Sequence, residues 1–373
     1  VRLLLVVGLC AAAFLLCGFG PPRLIDNDAH PLQRVDPASL PATTLQQAVT
    51  GLTATAALVY ERDVGQLLFE RNGSLALPPA SLTKLMTALL THEQAKLGDL
   101  VIVDAADLVG GASMGLQVGE QVTVADLLRG LLIPSGNDAA MALSRHVAGG
   151  EDAFVVAMNA RADQLGLAQT HFENPHGFDA EGHLSSARDI LMLTLANWQD
   201  QFFREIVATK STTVAGHALR NTNDLLGPLI SAPGARAIGV KTGTTSAAGQ
   251  CLVAAVERDG HLTLIVVLAS SDRYKDVQML YNAVQERQRW VSMNAGDSAA
   301  LNRAVAQDGS TLYLRALGES PAAFLEGWQA PMLRAVRWID GAMVQQAEAG
   351  SVVGRIEWWL GRDKIGEQLL AAR

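Results

Sequence analysis

Pro78-Pro79-Ala80-Ser81-Leu82-Thr83-Lys84-Leu85-Met86-Thr87-Ala88-Leu89-Leu90 decides how this 373-residue chain is read. The two prolines cannot continue a helix from upstream but can open one. Leu82, Leu85, Met86, Leu89 and Leu90 then recur at helical spacing, which predicts a helix from Ser81 to about Leu97. Residues three apart share a helix face, so Lys84 falls beside Ser81. A serine hydroxyl is too weak an acid to attack a carbonyl at neutral pH without a base in reach and donors for the oxyanion. Near a helix start, free N–H groups and the macrodipole favour negative charge on the serine oxygen. Packing the same helix desolvates Lys84 and lowers its pKa, making a neutral amine available as that base.

Two further motifs follow in order, Ser135-Gly136-Asn137 and Lys241-Thr242-Gly243. None is specific alone: Ser292-Met293-Asn294 repeats the second pattern with no evident meaning, and an isolated Ser81 and Lys84 read as a helix cap and a solvated lysine. Weight comes from all three in sequence, with a Pro-Ser-Gly turn at the second and Thr244 after the third.

With these motifs the chain resembles the low-molecular-weight penicillin-binding proteins, specifically the serine-type D-alanyl-D-alanine carboxypeptidases. Gly111-Ala112-Ser113-Met114, Asn174-Pro175-His176-Gly177-Phe178-Asp179, Gly182-His183-Leu184-Ser185-Ser186-Ala187-Arg188-Asp189 and Ala248-Gly249-Gln250-Cys251-Leu252 extend the similarity, which is strong over roughly residues 45–275. The resemblance implies an α/β (α+β) fold: a β-lactamase/transpeptidase-like domain, its antiparallel sheet flanked by helices, followed by a small C-terminal all-β domain. It implies Ser81 as nucleophile, Lys84 as general base and Ser135 as proton relay to the leaving amine. It further implies Asn137, Lys241, Thr242, Gly243 and Thr244 as substrate-binding residues, with Lys241 facing the cleft from a strand edge and the Ser81 and Thr244 N–H groups forming the oxyanion hole. The implied substrate is a peptidoglycan stem pentapeptide that loses its terminal D-alanine, β-lactam antibiotics act as covalent inhibitors at the same serine, and no metal or organic cofactor is required.

Composition bounds the rest. Hydrophobic content of 49% supports a substantial core, and the length predicts one large and one small domain. A formal charge of −8 with no basic stripe argues against nucleic acid as a partner. Arg2 precedes an apolar run, Leu3 to Phe19, ended by Gly20-Pro21-Pro22, so residues 1–20 read as a signal peptide or an N-terminal anchor. As a helix, about 17 residues reach about 25 Å, slightly short of a bilayer core. The chain is therefore expected to be exported, to the periplasm or the outer face of the cytoplasmic membrane, with membrane association through this segment if it is retained. Cys10 and Cys17 lie within the run, which leaves Cys251 alone in the exported part, without an intrachain disulfide, and reading as a small buried hydrophobe.

Residues 21–45, with several prolines, read as a linker, 46–285 as the peptidase domain and 290–373 as the C-terminal β-rich domain. Leu58-Val59-Tyr60 and Leu67-Leu68-Phe69 predict a hairpin; Val124–Leu132, Ala139–Val147, Ala153–Leu165 and Asp276–Gln288 predict helices; Gly239–Lys241, Leu252–Val256 and Leu262–Leu268 predict strands. Early strands and returning strands are expected to pair in one antiparallel sheet. Arg188 and Asp189 are expected to start or cap a helix, and Trp338, Trp358 and Trp359 to pack within a small sheet.

Other chemistries compete. Gly111-Ala112-Ser113-Met114-Gly115 matches the hydrolase elbow pattern but lacks the required strand before and helix after it. A class A β-lactamase adds a glutamate for deacylation, and Glu173 is the nearest candidate, though Glu173-Asn174-Pro175 does not match the usual loop. An endopeptidase cutting crosslinks shares the chemistry, and an inactive wall-binding protein would be expected to break a motif. His171, His176 and His183 lack the spacing of a helical metal pair.

Overall fold

The structure is a computed structural model that describes residues 49–229, 231–293 and 302–373. The apolar N-terminal run, Cys10, Cys17 and the linker lie outside the described residues. Two compact units are present, one within Gln33–Arg289 and the other containing Trp290–Arg373.

In the first unit the chain runs β1 (Ala56–Glu61), β2 (Gln66–Arg71), α1 (Lys84–Gln94), β3 (Leu100–Ile102), β4 (Gln121–Thr123), α2 (Val124–Leu132), α3 (Asn137–Ala148), α4 (Glu151–Leu165), α5 (Ala187–Trp198), α6 (Gln201–Ala208), β5 (Ser211–Val214), β6 (His217–Arg220), β7 (Gly227–Pro228), β8 (Arg236–Thr245), β9 (Gly249–Arg258), β10 (His261–Ser270) and α7 (Arg273–Arg287). Six strands form one sheet in the order β2-β1-β10-β9-β8-β7. The expected pairing of early and late strands is present: β1 lies antiparallel to β10, Ala56 opposite Leu268 and Glu61 opposite Thr263. Both faces are covered. Ala56 and Leu58 join the main helical core, their neighbours Ala57 and Val59 are equally buried, and α7 packs on β9 and β10. Continuous apolar strands are the sequence signature of such two-sided burial.

Helix α1 is the centre of that core. It touches α2, α3, α4 and α5, and its residues Lys84 through Thr91 are all buried. A helix buried all round cannot be placed by an amphipathic stripe; it is fixed instead by neighbours on every side. The expected helix from Ser81 proves to be two pieces, a 3₁₀ turn over Ala80–Thr83 and then α1 from Lys84. The consequence for Ser81 is small, because i and i+3 eclipse in a 3₁₀ turn as they adjoin in an α-helix.

Side-chain caps set several of the remaining helix starts. Thr123 accepts from the Asp126 N–H ahead of α2, Ser186 from Asp189 ahead of α5, Asp200 from Phe202 and Phe203 ahead of α6, and Asp272 from Lys275 ahead of α7. Arg188 does more than open α5. Its Nε and Nη2 donate to the two carboxylate oxygens of Glu70 on β2, both at 2.5 Å, tying the helix to the edge of the sheet. Asp189 accepts from the Gln169 N–H and the Thr170 hydroxyl.

In the second unit, β11 (Gln288–Ser292) pairs with β14 (Ala322–Glu326). A five-stranded antiparallel sheet takes the order β12 (Arg303–Val305), β13 (Thr311–Ala316), β17 (Asp363–Ala372), β16 (Val352–Leu360), β15 (Leu333–Ile339), and the short α8 (Gly341–Gln345) precedes β16. Leu314, Val353, Ile356, Trp358 and Leu370 form its core. Trp358 packs inside as expected, whereas Trp338 is 52% exposed. Trp338 lies opposite the exposed Arg355, which sits over its ring, and its indole N–H donates to Glu357. Among the described residues no helix is long and apolar enough to cross a membrane.

The Arg188–Glu70 pair is largely buried, with 16% and 12% of the two side chains exposed. Glu70→Ala removes the carboxylate that both Nε and Nη2 of Arg188 bind, and is expected to cost roughly 3 kcal/mol, read as a lowered denaturant midpoint with an unchanged slope.

Candidate active site

Ser81, Lys84, Ser135, Asn137, Lys241 and Gly243 meet at one place, where the N-terminal end of α1 faces strand β8 and the start of α3. Lys84 Nζ lies 3.1 Å from Ser81 Oγ, 2.8 Å from Asn137 Oδ1 and 2.6 Å from the His176 carbonyl oxygen. A neutral amine has two N–H donors and one lone pair. Asn137 Oδ1 and the His176 carbonyl can only accept, so they take the two donors and leave the lone pair for the Ser81 hydroxyl. Burial and the nearby Lys241 push the Lys84 pKa well below its ordinary value, with Asp138 pulling the other way.

Lys241 forms the second cluster. Its Nζ donates to Ser135 Oγ at 2.9 Å and to the Thr242 carbonyl at 2.8 Å. The sequence expectation had this ammonium facing the cleft; the structure sets it beneath the surface, 1% exposed. Burial, then the Arg273 charge, lower its pKa to about 7. Thr242 is also buried, its hydroxyl 2.6 Å from that of Thr222, while Thr244 is exposed.

Two left-handed backbone positions shape the turns. Ala80, just before Ser81, has φ +50°, and Ser135 has φ +68°. Non-glycine residues held there carry strain that surrounding contacts have to offset. Gly243 allows β8 to approach: a Cβ there would sit 3.0 Å from Ala80 Cβ and 3.1 Å from both the Pro79 carbonyl and the Ser81 nitrogen. Gly177 presses closer still, a Cβ on it falling 2.1 Å from the Ala80 carbonyl oxygen.

Several contributors were not legible in the sequence. Arg273, ahead of the expected helix start, donates from Nη1 to the Gly243 carbonyl and the Thr244 hydroxyl at 2.8 and 2.9 Å. The backbone carbonyl of His176 carries that residue's contribution, and no side-chain motif signals a carbonyl. Its ring is neutral, burial lowering its pKa to about 4. His183 is likewise lowered to about 4 by burial. Its Nδ1 accepts from the Glu173 N–H, so the proton sits on Nε2 and is donated to Thr83 Oγ, 2.7 Å away. Thr83 in turn donates to the Ala80 carbonyl at 2.8 Å, bracing the turn under Ser81. The competing candidates are engaged otherwise: the Ser113 hydroxyl donates to Asp138, and the exposed Glu173 carboxylate pairs with His171. Among the described residues no cluster of three metal-ligating side chains occurs.

The D-alanyl-D-alanine carboxypeptidase family model matches residues 42–272. The chain belongs to this family. It is 36% identical over 229 residues to the Bacillus subtilis D-alanyl-D-alanine carboxypeptidase DacF, and 38% identical over 235 residues to the Escherichia coli D-alanyl-D-alanine carboxypeptidase DacC. These alignments take in 58% and 60% of this chain and 58% of the length of each relative. Penicillin-binding protein 6B from Escherichia coli is similar in structure over 89% of this chain and 98% of its own, with a TM-score of 0.63 at 28% identity.

Because the position of Ser81 depends on the Gly177–Ala80 contact, Gly177→Ala is a direct probe. At φ +93° and with a backbone oxygen in the way, the methyl has nowhere to go. The expected outcome is a folded protein in which, on the acyl-serine reading proposed below, Ser81 is labelled by a fluorescent penicillin on the order of 10²-fold more slowly.

Proposed function

We propose that this chain is a serine DD-carboxypeptidase that removes the terminal D-alanine from peptidoglycan stem pentapeptides through an acyl-enzyme at Ser81. The observation that carries the reading is the pairing of a buried amine aimed at Ser81 with a second buried amine, Lys241, behind Ser135.

Neutral Lys84 takes the Ser81 proton as Oγ attacks the carbonyl carbon of the penultimate D-alanine. The resulting oxyanion is met by the N–H groups of Ser81 and Thr244, and the tight approach at Gly243 brings these two strands of backbone together. Asn137 aligns the peptide. As the C–N bond breaks, Ser135 relays to the departing amine the proton that Lys84 took from Ser81, which returns Lys84 to its neutral form while Lys241 keeps its charge. The leaving group's carboxylate is held by Thr242, Thr244 and Arg273, with the Lys241 charge beneath them. Water then hydrolyses the ester, Lys84 again serving as base. A β-lactam presents a similar carboxylate and acyl carbon, but its leaving amine stays tethered and obstructs the water. The arrangement of Glu173 disfavours a β-lactamase, since its carboxylate is turned to His171 at the surface. Acting on the wall places the enzyme outside the cytoplasmic membrane.

Incubating a pentapeptide ending in D-Ala-D-Ala with the wild-type chain is expected to release one alanine, seen by mass spectrometry, and Ser81→Ala to release none. Equal loss from both, or loss from neither, would reject the assignment.

The pH dependence follows from the two amines. Activity needs Lys84 neutral and Lys241 charged, so kcat/KM is expected to climb as Lys84 loses its proton and to decline once pH passes the free-enzyme value of Lys241, about 7. His176 and His183, each near 4, stay neutral throughout and contribute no limb. Lys241→Arg, whose guanidinium does not titrate, is expected to remove the alkaline limb at reduced activity.

A further inference from the structure

We infer that Asp138, the residue after the Ser135-Gly136-Asn137 motif, is a positioning residue that fixes the orientation of the Asn137 amide and thereby the protonation state and aim of Lys84. The inference rests on the acyl-serine reading above.

Asp138 is 1% exposed, in the first turn of α3. Its Oδ1 accepts from the N–H groups of Met114 and Ala139 at 3.0 and 2.9 Å. Its Oδ2 accepts from the Ser113 hydroxyl at 2.5 Å and from the N–H groups of Gly115 and Leu116 at 3.1 and 3.2 Å. Three consecutive backbone N–H groups of a stretch with no regular structure are thus collected by a single carboxylate. Only an ionised acid can accept at both oxygens in this way.

The captured loop then grips Asn137 from the other side. The Asn137 N–H donates to the Ala112 carbonyl at 2.7 Å, and its Nδ2 donates to the Gly110 carbonyl at 2.8 Å. With Nδ2 committed to Gly110, the amide oxygen is the atom left to face Lys84 Nζ. A flipped amide would set N–H against N–H, consume the lysine lone pair and leave Ser81 without a base. The order of dependence is therefore Asp138, loop 110–116, Asn137 amide, Lys84.

The same carboxylate acts through its charge. The groups bearing on Lys84 are Lys241 from β8, Asp138 from α3 and the neutral His176 from the 174–178 loop. Burial and Lys241 favour the free amine, whereas Asp138 alone favours the ammonium. Removing it tips Lys84 further toward the neutral form.

The test is the rate of Ser81 acylation by a fluorescent penicillin across pH, for the full chain and two variants. Wild type that is not acylated would sink the functional reading itself, independently of Asp138. In Asp138→Asn, one amide oxygen replaces two acceptors and the charge is gone. The plateau rate is expected to fall on the order of 10²-fold while the acid limb moves to lower pH. A merely structural role would lower the rate without moving the limb. Ser113→Ala removes one donor from a partly exposed loop and keeps the charge, so the expected result is a several-fold slower plateau with the acid limb in place. An unchanged acid limb in folded Asp138→Asn overturns the proposal. So does wild-type acylation by Ser113→Ala, and that result stands even where Asp138→Asn does not fold.

Discussion

Two amines buried within one cleft are the constraint around which the structure is organised. Lys84 and Lys241 are 0% and 1% exposed; burial and the Lys241 charge lower the affinity of Lys84 for a proton, and burial and the Arg273 charge lower that of Lys241. Both cannot carry a full charge there at moderate cost. The contacts decide which gives way. Lys84 has two carbonyl-type acceptors and a hydroxyl that can donate to its lone pair once burial and Lys241 have driven off its proton. Lys241 binds a hydroxyl and a carbonyl and lies next to the site where a substrate carboxylate would bring the compensating charge. In the proposed reaction the pair divides into a base and a cation because the surroundings differ, although the side chains are identical.

Holding that division in place falls to the core. Desolvating an amine is unfavourable by itself, so the helix that carries Lys84 has to be stabilised by other means. Helix α1 meets four other helices and buries every residue from Lys84 to Thr91. Lys241 is carried by β8, which has β9 along one edge and contacts α6 and the Ala80–Thr83 turn. Both amines therefore sit on elements that cannot move away from the charge they dislike, and loops supply only the acceptors. Sites held to sub-ångström tolerance need this kind of support.

How much of this was legible in the sequence differs by residue, for physical reasons. Ser81 and Lys84 could be placed together because i, i+3 spacing brings side chains to one face in either helical form. The hairpin around Asp63 and Gly65 and the strands through Leu252 and Leu262 carried apolar runs bounded by turn residues. What stayed hidden was transmitted through backbone or through distant pairing. The His176 carbonyl has no sequence signature, since every residue has one. Arg273 lies just ahead of the predicted helix start and meets β8 only because α7 packs beside the sheet. Trp338 was expected inside, yet its partner on the neighbouring strand, Arg355, sets it on the wet face. The burial of Lys241 was hidden for the opposite reason: a lysine in a sequence is read as a surface charge, and only the enclosing strands and Arg273 show otherwise.

The strain in the two turns has a direction. Ala80 and Ser135 both occupy the left-handed region, where a residue with a Cβ costs on the order of 1–3 kcal/mol. Relaxing Ala80 would move its carbonyl, which accepts from the Thr83 hydroxyl that His183 supports and fills the space that Gly177 leaves. Relaxing Ser135 would draw its hydroxyl from Lys241 and shift Gly136, whose N–H is held by the Gly130 carbonyl at 2.8 Å. In each turn the strained residue is clamped by its neighbours, Ala80 by Thr83 and Ser135 by Lys241 and, through Gly136, by Gly130. The reactive hydroxyl therefore needs no rearrangement to reach its amine, and the cost of that readiness is already met in the folded state.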